Sequence, residues 1–334
     1  MGKFYLVTGG LGFLGAALSR ALLSAGHRVR VLDNSFRGSI RRLGSSAPDV
    51  EVVCGDIRDL DVVTRAVRGV DAVCHLAYVN GTRHFYSQPS LVLEIAVKGM
   101  MNVLDACRSQ RVGELILASS SEVYQTPPTL PTDESVPLSV PDPLNPRYSY
   151  GGGKIISELM TLNYGREHLE RAVIFRPHNV YGPDMGWEHV VPEFVARQLS
   201  AQEQHHGPRP MEFSILGDGQ QTRAFIYIDD FTRGLMRVIE AGEHLGIYHI
   251  GTPQEHTIAE VAQLVARGLG LSIELRPGPA APGATVHRCP DIRKLRQLGF
   301  EPVVSLAAGL ELTVPWYRDA WHRGEGRHVT KQAA

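Results

Sequence analysis

The chain of 334 residues has no excess of charge of either sign: 34 Lys and Arg face 35 Asp and Glu. That balance leaves no electrostatic footprint for nucleic acid or an anionic membrane surface, so a polyanionic ligand must be held by local groups. Uncharged apolar runs approaching the roughly 18 residues of a membrane span are also missing. The start, Lys3-Phe4-Tyr5-Leu6-Val7-Thr8, lacks the basic segment and small-residue cleavage site of an export signal, and the expected location is cytoplasmic. Cysteine is scarce. Cys54, Cys74, Cys107 and Cys289 form no C-x-x-C pair, and Cys54 and Cys74 lie in strand-like apolar runs that predict buried free thiols. Fourteen histidines form no H-E-x-x-H or similar ligand spacing, so no metal site is expected, and His205-His206 reads as a solvated pair.

Apolar residues make up 43% of the chain, enough for an ordinary globular core. The first half alternates short apolar strands (residues 3–8, 28–32, 50–54, 72–76 and 115–119) with helical stretches (16–25, 60–67 and 91–109). Such alternation implies βαβ units and a mostly parallel sheet. Residues 125–147 then carry seven prolines, which predicts a long irregular loop, and such loops inside compact domains are usually functional. A helix over 151–167 and a strand over 172–176 follow. Later strands are expected near 225–228 and 247–250, with a helix at 258–268. The fold expected is an α/β Rossmann-type, doubly wound parallel sheet with a smaller, interleaved C-terminal lobe. Residues 1–183 and returning segments near 225–252 form the nucleotide domain, 184–224 and 253–321 the substrate lobe, and 322–334 a polar tail expected to be disordered.

Glycines at 9, 12 and 15 lie between the first strand and the first helix. One makes the tight turn, one lets backbone approach a pyrophosphate, and one packs helix on strand, while the helix N-terminus attracts the phosphates. Asp33 ends the next strand 18 residues after Gly15, where a carboxylate holds ribose hydroxyls and repels a 2′-phosphate. That favours NAD over NADP, although Arg37 lies close by. Asp56, after the third strand, reads equally as an adenine contact or a turn residue.

Tyr150 and Lys154 stand at i, i+4 on one helix face. A free tyrosine, with pKa about 10, is a poor base at neutral pH, and a nearby ammonium group stabilises its phenolate. With the glycine turn, the run Ser119-Ser120-Ser121-Glu122 at a strand end, and Arg176-Pro177-His178-Asn179-Val180-Tyr181-Gly182-Pro183, the sequence resembles the extended short-chain dehydrogenase/reductases, specifically the NAD-dependent nucleotide-sugar epimerases and dehydratases.

The resemblance implies a soluble homodimeric enzyme that binds NAD and a nucleotide-diphosphate sugar and needs no nucleic acid or membrane. It makes Tyr150 the acid/base, Lys154 the orienter of the nicotinamide ribose, and Ser120 a hydrogen-bond partner of the reacting oxygen. It implies cofactor contacts at Gly9, Gly12, Phe13, Leu14, Gly15, Asp33, Asn34, Asp56, Ile57, Leu76, Ala77 and Pro177, together with Tyr150 and Lys154. Substrate contacts are implied at Asn179, His189, Val190, Arg223 and Arg288. It also implies dimerisation through the apolar faces of residues 91–109 and 151–167. The chain departs from the family pattern in three places. Ala96 stands where an asparagine is usual, three glycines separate Tyr150 from Lys154, and Met185-Gly186-Trp187-Glu188-His189 follows no general rule.

The family's shared step is oxidation of a sugar carbon, usually C4. Many of its 4,6-dehydratases carry Thr-Asp-Glu where this chain has Ser120-Ser121-Glu122, while its decarboxylases and some dehydratases also show a Ser-Glu pair. Because it needs the fewest extra groups, 4-epimerisation is the first expectation. Dehydration or uronic-acid decarboxylation, with Ser121 and Glu122 taking part, is the alternative, and a non-catalytic NAD(H)-binding sensor is the reading from another class.

Overall fold

The computed structural model describes residues 2–204, 207, 210–279 and 287–330. Six parallel strands come first: β1 (Phe4–Thr8), β2 (Arg28–Asp33), β3 (Val50–Cys54), β4 (Ala72–His75), β5 (Glu114–Ala118) and β6 (Arg171–Pro177). With Gly246–Ile250 they make a seven-stranded sheet whose order, Gly246–Ile250, β6, β5, β4, β1, β2, β3, reverses direction after β1. β1 and β4 lie side by side, pairing Thr8 with His75, although the chain reaches β4 only after winding out to the β3 edge. That switch point opens a crevice beyond the C-terminal ends of the strands, the place where doubly wound sheets bind ligands. The central strands are buried on both faces, as parallel sheets require.

Helices α1 (Phe13–Ser24), α2 (Leu60–Val67), α3 (Thr82–Ser87), α4 (Pro89–Glu94), α5 (Met100–Gln110) and α6 (Ser149–His168) cover the sheet. The single helix expected over 91–109 is α4 and α5 joined by a π turn, Ile95–Gly99. The turn contains Ala96, the site of the missing asparagine, and the Ala96 carbonyl accepts a hydrogen bond from Ser157 Oγ of α6 (3.1 Å).

The C-terminal half is more regular than its sequence suggests. Helices Val190–Gln204, Ile228–Ala241 and Leu306–His322 stand where no helix was expected, and their apolar faces join the larger core cluster. The strand expected at 225–228 does not join the main sheet: among the described residues, Ile226–Tyr227 pairs only with Val180–Tyr181. The tail is not disordered up to residue 330. The last long helix runs through His322, and a short helix, Arg327–Thr330, follows. It is held because Arg327 pairs with Glu203 (2.6 Å) and lies 3.9 Å over the Trp321 ring, while Trp187 packs on Gly326. Cys54 is exposed rather than buried, since β3 is the edge of the sheet; His205 and His206 lie outside the described residues.

One polar link ties helix to sheet in the dry interior. Glu158 of α6 accepts two hydrogen bonds from Arg176 of β6 (2.8 and 2.6 Å), both side chains being 2% exposed, and also accepts from Ser119 Oγ. Arg176 further donates to the Tyr124 hydroxyl, which meets His249 Nε2 at 2.7 Å. Removing one member of such a pair strands the other charge in low dielectric. Glu158→Ala should therefore lower the unfolding free energy by about 3–5 kcal/mol, read from urea midpoints.

Candidate active site

The crevice is one cleft of ≈ 770 Å³, and every residue expected to bind cofactor or substrate lines it. At its floor Gly9 turns with φ +69°, and a Cβ on Gly15 would lie 2.1 Å from the Gly9 carbonyl, so α1 docks on the turn only without a side chain there. The α1 N-terminus has no side-chain cap and no acidic residue in its first turn, which leaves its N–H groups for an anion. Asp33 is buried at the end of β2, where its carboxylate accepts from Leu11 N (3.0 Å) and Ser35 N (2.8 Å). This glycine cradle, uncapped helix end and strand-end carboxylate fit the dinucleotide that the sequence pattern implies. Phe13, Leu14, Ile57, Leu76, Ala77 and Pro177 form apolar walls. Asp56 and Asn34 line the same end, but the Asp56 carboxylate is drawn to Arg58 (2.9 Å), whose hydrogen bonds pull it down to about 2.

The reactive end is built from β5 and α6. Ser120 follows β5, and its Oγ accepts from Glu122 N (3.2 Å) and shares a hydrogen bond with the Tyr150 hydroxyl. Phe85 stacks on the Tyr150 ring at 4.7 Å, and Tyr78 meets it edge-on at 5.1 Å. One helical turn on, Lys154 Nζ donates to the Ala118 carbonyl (2.7 Å), 3.8 Å over the Tyr78 ring and 6.0 Å from the Tyr150 ring centroid.

Two of the three glycines between them, Gly151 and Gly153, are explained by close neighbours, while a Cβ on Gly152 would make only an ordinary contact with Val140. A Cβ on Gly153 would come within 2.4 Å of the Tyr78 hydroxyl and 2.7 Å of Ala96 Cβ, and one on Gly151 within 2.5 Å of Gln125 Nε2. The sequence argument that Lys154 lowers the Tyr150 pKa is not what these side chains alone produce. Burial pushes Tyr150 up to about 12 against the Ser120 hydrogen bond, and burial pulls Lys154 down to about 7 against the pull of Glu158. Both groups are biased to their neutral forms.

Beyond Ser120, Glu122 and Arg288 form an ion pair at 2.5 Å. Burial pushes the Glu122 carboxyl up, but Arg288, then Arg147 and Arg223, outweigh it and hold it below the ordinary carboxylate range. Burial and the neighbouring Arg288 pull Arg223 down to about 10. Arg147 escaped the sequence reading; it is delivered by the end of the proline-rich loop, through the short turn Pro146–Tyr148. Asn179, at φ +40°, donates to the Ala224 carbonyl (3.1 Å). Across the cleft Arg37 donates to the Asn80 carbonyl and stands 3.8 Å from Glu188, and burial with Arg37 nearby pulls His189 down to about 4. Residues 185–189 are anchored from behind: Tyr317 accepts from Met185 N (2.9 Å) and donates to the Gly186 carbonyl (3.1 Å), and Trp187 meets Tyr317 at 4.9 Å.

Lys154 carries a stability cost whose sign is fixed. Its pKa is lower folded than the ordinary lysine value of about 10.4, so the unfolded chain binds the extra proton, and the penalty is full below about pH 7 and fades towards pH 10. Lys154→Met should thus raise the melting temperature more at pH 6 than at pH 10. Equal gains at both values would contradict the buried-charge assignment.

The pattern of one described family, the NAD dependent epimerase/dehydratases, matches residues 5–251. Curated relatives include a UDP-glucuronic acid decarboxylase 2 of Arabidopsis thaliana, 35% identical over 94% of this chain and 68% of that protein. They also include a dTDP-glucose 4,6-dehydratase of Streptomyces niveus, 31% identical over 95% and 94%. Among solved structures, UDP-glucose 4-epimerase of Thermus thermophilus in complex with NAD superposes with a TM-score of 0.81 at 29% identity, covering 95% of this chain and 99% of that one. DesIV, a dTDP-glucose 4,6-dehydratase of Streptomyces venezuelae with NAD bound, superposes at 0.83 with 32% identity, covering 98% and 99%. With its glycine cradle, its Ser120–Tyr150–Lys154 group and this match over most of its length, the chain belongs to the NAD-dependent epimerase/dehydratase family of nucleotide-sugar enzymes.

Proposed function

We propose that the protein decarboxylates a nucleotide-linked uronic acid by way of transient oxidation at the sugar C4. The observation that carries this reading is the state of the groups beside Ser120. Glu122 is held ionised by arginines, and Ser121 is no acid, so neither group can protonate a departing hydroxyl as a 4,6-elimination requires. Carbon dioxide leaves without a proton. The relatives named as UDP-glucuronic acid decarboxylases support the same choice over 4-epimerisation, the first expectation from sequence.

NAD, when held in the glycine cradle beside Asp33, would supply the hydride acceptor and donor for C4. Tyr150, through Ser120, takes the C4 hydroxyl proton as phenolate, a form that Lys154 stabilises in its ammonium state against the burial that favours the neutral pair. Once C4 is a ketone, the carboxylate on C5 belongs to a β-keto acid. Its C–C bond breaks, the electron pair passes into the C4 oxygen held by Ser120 and Tyr150, and a solvent proton delivered to C5 gives the 4-keto-pentose; Tyr150 then gives its proton back to the C4 oxygen as C4 is reduced again. Arg147, Arg223 and Arg288 supply the positive charge for the substrate's diphosphate and carboxylate, with Glu122 fixing the Arg288 fork. In this proposal residues 1–183 with the returning strand carry the cofactor, and the C-terminal lobe carries Arg223, Arg288 and the wall at 185–190.

Incubation with UDP-glucuronic acid, followed by proton NMR, should give a UDP-pentose and carbon dioxide, and Tyr150→Phe should slow turnover by about a hundredfold or more. A C4 epimer of the uronic acid, or unchanged substrate, would overturn the reading. We further propose a homodimer through the π turn, α5 and α6, where Val97, Ile156 and Leu159 stand exposed in the single chain. Light scattering at micromolar concentration should give twice the 36.7 kDa chain mass, and a monomer would refute it.

A further inference from the structure

Tyr78 has no role in the chemistry above, yet it touches both of its central groups. It follows β4, and its hydroxyl is buried with no hydrogen-bond partner among the described residues. A buried hydroxyl left unbonded is costly, so the position is not explained by what that hydroxyl binds. The ring is another matter. Lys154 Nζ lies 3.8 Å over the ring centroid, well inside cation–π range, and the ring meets that of Tyr150 at right angles with centroids 5.1 Å apart. α6 accommodates it by carrying Gly153 where a Cβ would strike the hydroxyl.

The other groups facing Lys154 leave the ammonium poorly compensated. Glu158, one turn along α6, is the anion that raises its pKa, but that carboxylate is already shared between Arg176 and Ser119. His75 of β4, on the inner side, is kept neutral by burial and by Lys154 itself. From β5 comes only the Ala118 carbonyl. Tyr150 faces Glu122, Arg288 and Arg37 on its outer side.

We propose that Tyr78 is a positioning residue for the acid–base pair: its ring face holds the Lys154 ammonium in place and charged, while its perpendicular contact sets the Tyr150 ring. The inference does not depend on which sugar reaction the site performs.

The test reads the Lys154 amine directly and needs no substrate. Competitive acetylation of the purified protein with acetic anhydride across pH, read by mass spectrometry at Lys154, gives the midpoint at which the amine loses its proton. Tyr78→Phe keeps the ring and should leave that midpoint unchanged. Replacing Tyr78 by mono-, di- and trifluorinated phenylalanines drains the ring face with little change in its size, and the midpoint should fall stepwise, by about one pH unit over the series. Tyr78→Leu should show the largest fall. A midpoint that stays constant through the fluorinated series overturns the proposal. So does a Tyr78→Phe variant shifted as far as Tyr78→Leu, which would assign the effect to the hydroxyl. Should Tyr78→Leu fail to fold, the fluorinated series still decides.

Discussion

A lysine ammonium placed in a dry interior constrains everything around it. In the proposed chemistry Lys154 acts on the Tyr150 proton from one helical turn away, and that position is buried against the end of β5. Water cannot compensate the charge there, so protein groups must, and each has a structural consequence. The Ala118 carbonyl is available because β5 ends beside α6. Glu158 helps only in part, because Arg176 already neutralises it from β6, and the resulting pair pins the helix to the sheet. The burial that makes the site costly to keep folded also makes its electrostatics strong.

Two of the departures from the family pattern, Ala96 and the glycine run, belong to one contact. Tyr78 and Ala96 both press on Gly153, and Gln125 presses on Gly151, so the glycine run lets α6 approach the β4 and β5 loops closely. The π turn at Ile95–Gly99 belongs to the same contact. Ser157 Oγ lies between the two elements, within hydrogen-bond reach of the Ala96 carbonyl at 3.1 Å and of the Gly153 carbonyl in its own helix at 2.9 Å. Residues 185–189, for which sequence offers no rule, are a wall of the cleft whose shape is set from behind by Tyr317 and Gly326.

What was legible in sequence was local. The glycine turn, Asp33, and the Tyr150–Lys154 spacing each lie within one or two elements, and local spacing suffices to show their geometry. Arg147 and Tyr78 were illegible because what they meet lies far off in sequence: one arrives at the end of a proline-rich loop, the other packs beneath a helix some seventy residues later. The ordered tail was missed for a related reason. Its polar composition reads as solvated, and only the folded chain brings Glu203, Trp321 and Trp187 to Arg327 and Gly326. The electrostatic argument from sequence also stopped short, because it counted the charge of Lys154 and not the burial that opposes it.

The central claim is that Tyr150 and Lys154 serve an oxidation at C4 that is reversed within one turnover. UDP-glucuronic acid deuterated at C4, turned over in ordinary water, tests this most directly. The account predicts a pentose that retains the deuterium at C4 and gains a solvent proton at C5. Loss of the C4 deuterium to solvent, with turnover otherwise complete, would contradict it.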